Sequence, residues 1–68
     1  MVHASEATAS WTATCHRLAG EARALAVIWE QLATQDLAWG DPKRASAHQE
    51  YATAARHRAT MFEAVKRG

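Results

Sequence analysis

Four histidines and one cysteine are the residues of this 68-residue chain best suited to metal or nucleophilic chemistry. Their spacing disfavours both. Cys15 and His16 are neighbours, so on a helix they point about 100° apart. His48 and His57 stand nine residues apart, compatible with one helical face, but the turns between them supply no third ligand. No C-x-x-C, H-x-x-x-H or E-x-x-H pattern occurs, and those are the spacings that put ligands on one side of a helix or loop. Cys15 is expected as a buried, core-filling thiol. His48 is expected as a packed or hydrogen-bonded helix residue, with a pH-dependent contact as the functional alternative. His16 and His57 read as solvated. The acids are dispersed and no serine, cysteine or lysine stands beside a patterned base. No catalytic residue, metal ligand, cofactor or small-molecule substrate is therefore expected, and the chain reads as a non-enzyme.

The arginines suggest a different chemistry, phosphate binding. Arg44, Tyr51, Arg58 and Val65 are seven residues apart and share a helical strip, and Arg56 and Arg58 flank His57. Doubled by a dimer, Arg44, Arg56 and Arg58 could contact the backbone of DNA or RNA. The strip itself holds only two charges per chain, and there is no recognition-helix turn, stacking platform or arginine-rich tract. A nucleic-acid-binding dimeric regulator is the second functional expectation.

These side chains must be carried by helices. Trp11, Leu18, Leu25, Leu32 and Trp39 are spaced by seven, about two helical turns, and so form one stripe. Taking them as heptad d positions, Cys15, Ala22 and Trp29 fall on a, and Ala19, Ala26 and Ala33 on e. Ala45, His48, Ala52, Ala55, Ala59 and Phe62 form a mostly small stripe at spacings of three and four. The expected core lays the large d side chains over those alanines, since large against small fills space.

Trp39-Gly40-Asp41-Pro42 supplies the punctuation. Gly40 can close one helix in the left-handed conformation, Asp41 can cap the next, and Pro42 suits a first helical position. Helix 1 is expected over about 6–38, capped by Ser5, with Ser10 as an alternative start and Gly20 as its weak point. The turn covers 39–41 and helix 2 about 42–66, with Lys66 and Arg67 suiting its C-terminal end. Trp39-Gly40 differs from the Trp-x-Gly turn of small secreted hairpin proteins by lacking the intervening residue, and the chain is shorter. No property of that family is carried over. The fold class is all-α: a single domain over 1–68, an antiparallel two-helix hairpin that pairs into a four-helix bundle.

Pairing follows from what the hairpin leaves over. A chain this short makes a thin core, and one cysteine cannot form an internal disulfide framework. Val27, Ile28 and Trp29 are consecutive and cannot all face helix 2. Together with Met61 and Val65 they imply a second apolar surface. Trp11 and Trp39, at the two ends of the hairpin, are further interface candidates because tryptophan is favoured in protein contacts. The net charge of +1 conceals an asymmetry. Residues 1–40 carry −2 (Arg17 and Arg23 against Glu6, Glu21, Glu30 and Asp36). Residues 41–68 carry +3 (Lys43, Arg44, Arg56, Arg58, Lys66 and Arg67 against Asp41, Glu50 and Glu63). Two elements side by side account for that split. No stretch reads as a signal peptide or membrane span, so a reduced, cytoplasmic setting is expected. The leading expectation is a non-enzymatic protein-binding adaptor, or a regulatory or inhibitory module, acting as a homodimer.

Overall fold

The computed structural model describes residues 4–65, with side chains from Ala9 onward. Two α-helices, α1 (Ala4–Ala38) and α2 (Pro42–Ala64), pack along one another. Asp36 meets His48 near the bend, and Arg23 meets Glu63 far from it, so the helices run antiparallel. α1 is unbroken through Gly20, has 35 residues against 23 in α2, and already includes Ser5 and Ser10. The expected caps therefore lie inside the helix. Lys66 and Arg67 lie outside the described residues. Among the described residues no helix is long and apolar enough to cross a membrane.

The bend is determined by local chemistry. The Gly40 N–H donates to the Leu37 carbonyl at 3.0 Å, and the Asp41 N–H to the Asp36 carbonyl at 2.8 Å. These are the paired bonds that satisfy the last carbonyls of a helix when the following residue is left-handed. Gly40 provides that conformation, with φ of 80°. The Asp41 carboxylate then accepts from the Arg44 N–H at 3.1 Å, and Pro42 occupies the first turn of α2, where its missing N–H has no bond to forfeit. Closure of α1 and opening of α2 need only three intervening residues.

The core differs from the expected large-on-small arrangement. The buried side chains are Cys15, Ala19, Ala22, Ala26 and Ala33 of α1 and Ala45, Ala52, Ala55 and Ala59 of α2. It is the a and e residues of α1, not the d series, that meet α2. Small residues on both helices let the backbones approach closely, and a close approach moves the leucines of the d series out of the seam. The d series is displaced to one side: Leu18 and Leu32 are half-buried, Leu25 and Trp11 are exposed, and Trp39 at the bend is 81% exposed. The α2 stripe of Ala45, His48, Ala52, Ala55, Ala59 and Phe62 does face α1. Phe62 packs on the cluster of Ala19, Ala22 and Ala59, and Trp29 on that of Ala26, Ala52 and Ala55.

Candidate interaction surfaces

An alanine seam divides the hairpin into two dissimilar flanks. On the first, two ion pairs join the helices. Arg56 makes a two-point contact with Glu30, with Nη2 to Oε1 at 2.6 Å and Nε to Oε2 at 3.1 Å. Arg23 donates from Nη2 to Glu63 at 2.7 Å. Both pairs are near half-exposed, so each adds at most about 1 kcal/mol and mainly sets register. Val27 stands four residues after Arg23 and three before Glu30, and therefore belongs to this charged flank.

On the second flank lie the large apolar side chains. Leu18, Leu25 and Leu32 run along α1, with Ile28 between Leu25 and Leu32 at helical spacings of three and four. Tyr51, Arg58 and Met61 run along α2. Two shallow depressions cross this flank, and Leu25 and Arg58 line both. One also includes Trp29, Tyr51, Ala54 and Ala55, and the other Leu18, Glu21, Ala22 and Phe62. Val27 and Ile28, adjacent in the chain, point about 100° apart, Val27 toward the charged flank and Ile28 toward the apolar one. Among the described residues, a further concavity along Ser46, Gln49, Thr53 and His57 is lined by α2 alone. A single helix side cannot enclose a ligand.

Between Ala26 and Ala52 on one side and Ala33 and Ala45 on the other, the seam is interrupted by a polar-aromatic cluster. Trp29 stacks on His48 with ring centroids 5.4 Å apart, and Tyr51 tilts against both rings. His48 donates from Nδ1 to the Asp36 carboxylate at 2.5 Å. The other carboxylate oxygen lies 3.9 Å from Arg44 Nε, a loose approach. Trp29 is thus committed to the inside of the hairpin while one edge reaches the apolar flank. This cluster was missed in the sequence, although Trp29 and Asp36 continue the seven-residue spacing of Cys15 and Ala22.

No family model, characterised protein or solved structure matches the chain. Its surfaces are what remain to identify its work. Among the described residues no three His, Cys, Asp or Glu side chains converge on a metal site. Cys15 is fully buried, and His16 and His57 are exposed. The three arginines considered for phosphate contact do not converge. Arg56 is held by Glu30 on the charged flank, Arg58 stands on the apolar flank, and Arg44 is near the bend beside Asp36. Of the interface candidates, Ile28 and Met61 share the apolar flank with Leu25 and are more than half exposed. Trp11 continues the Leu18–Leu25 line and is exposed, Trp39 projects from the bend, and Val65, half-buried, caps α2.

Proposed function

We propose that this chain is a small non-enzymatic interaction module that binds another protein through its apolar flank. One observation carries this reading. The fully buried side chains are alanines and one cysteine, while Leu25, Ile28, Tyr51 and Met61 from both helices stay exposed, and Leu25 and Tyr51 line one depression. Burying a leucine, isoleucine or methionine side chain stabilises by about 1.5–3 kcal/mol. A hairpin whose fully buried side chains are all small leaves part of that energy available to a partner. Contiguous apolar patches on small proteins commonly mark such contacts. An adaptor or an inhibitor that covers a partner's surface would use the flank in the same way. Phosphate binding has less support, because Glu30 holds Arg56 in an ion pair and Arg56 lies on the flank away from Arg58.

Affinity recovery from a nuclease-treated extract of the source cells, with the immobilised chain as bait, tests this. Partner recovery should be lost with Leu25→Asp and Ile28→Asp, survive Arg56→Ala, and depend weakly on salt. A steep salt dependence with loss on Arg58→Ala alone would instead support nucleic acid. Insensitivity to all four substitutions would remove both surfaces from consideration.

A further inference from the structure

The apolar flank carries its own charge pattern. Glu21 and Arg58 line one depression together with Leu18 and Leu25, and among the described ion pairs neither side chain takes part. Glu21 of α1 and Arg58 of α2, set among the leucines of this depression, make a surface that is complementary to itself. We infer that the occupant of the flank is a second copy of this chain, with both bends at the same end, so that α1 of each copy lies on α2 of the other. This rests on the reading of the flank as a protein-binding surface and names its partner.

A two-fold axis parallel to the helices produces that arrangement and keeps every residue at its own level. Glu21 then comes over the level of the partner's Arg58, and Arg58 over that of the partner's Glu21. Leu25 comes over the depression floored by the partner's Ala54 and Ala55, a large side chain above small ones. Every helix gains a second antiparallel neighbour, the favourable alignment of helix dipoles in a four-helix bundle. Placing the bends at opposite ends would lay α1 on α1 and α2 on α2. That sets the strip bearing Arg44 and Arg58 against its own copy, like charge on like.

The available area is sufficient. The chain exposes 5168 Å², and one of the four sides of such a rod is about a quarter of that, roughly 1,300 Å², against about 800 Å² per partner in a standard stable interface.

Sedimentation equilibrium of the full chain across the micromolar range, with helicity followed by circular dichroism, tests the inference. The wild type should sediment with the mass of two chains. Glu21→Arg and Arg58→Glu should each weaken self-association by about tenfold or more, since symmetry repeats each like-charge contact. The double exchange Glu21→Arg/Arg58→Glu should restore the dimer. Restoration counts even if a single variant loses helicity, because the exchange must then recover both mass and helix content. A single-chain mass with full helicity overturns the inference, as does a dimer indifferent to Glu21→Arg or a double exchange that restores nothing. If the wild type is a monomer but extract recovery still fails with Leu25→Asp, the flank remains a protein-binding surface and only the second copy is excluded.

Discussion

Trp29 of α1 stacks on His48 of α2, the two rings 17° from parallel, and His48 is held from behind by Asp36. The stack interrupts the alanine seam, with buried Ala33 and Ala45 between it and the bend, and brings large rings from both helices face to face. Its hydrogen bond is largely shielded from water, with the side chains of His48 and Asp36 only 14% and 13% exposed. Ring and hydrogen bond contribute separately, because one substitution can retain the first and remove the second.

His48→Ala removes both contributions and should cost about 2–3 kcal/mol, whereas His48→Phe keeps the ring and should cost about 1–2 kcal/mol. Urea unfolding followed by circular dichroism at one fixed protein concentration measures the pair. Equal losses would mean that the stack adds nothing to stability.

Two glycines should respond in opposite directions. A Cβ on Gly20 meets nothing within 4 Å, and the residue sits inside a continuous helix, so Gly20→Ala should stabilise by about 0.5–1 kcal/mol. Gly40 has a φ of 80°, where any Cβ is strained, so Gly40→Ala should destabilise by about 1–2 kcal/mol. The melting temperature should rise for the first and fall for the second. A fall for both would show that Gly20 relieves a bend in α1.

The seam should reject added volume. Ala26 is fully buried between the helices and Ala24 is exposed. Ala26→Leu should cost about 1–3 kcal/mol through overpacking, while Ala24→Leu should stay within about 0.5 kcal/mol. Thermal or urea unfolding compares the two. A tolerated leucine at 26 would mean that the helices sit further apart than the seam requires.

Much of this hairpin is legible residue by residue. Gly40, Asp41 and Pro42 act within a turn of where they stand, so cap chemistry alone places the bend. The α2 stripe is equally plain, because it is the one run at spacings of three and four that joins alanines to Phe62. On α1 two stripes share the same seven-residue period, the large d series and the smaller a and e residues. Periodicity cannot say which of them faces α2. Neither could it say which flank Val27 and Ile28 each border, nor bring Asp36 to His48 across the bend.

What the chain determined by itself, then, is two helices and the turn between them, since caps, left-handed glycine and helical period are local properties. Tertiary structure decided which stripe is buried. Two helices faced with alanine can approach more closely than a helix faced with leucine allows, and that closeness moves Leu18, Leu25 and Leu32 out of the seam and onto one flank. The candidate site of this protein is made by that displacement, and it exists only once both helices are in place.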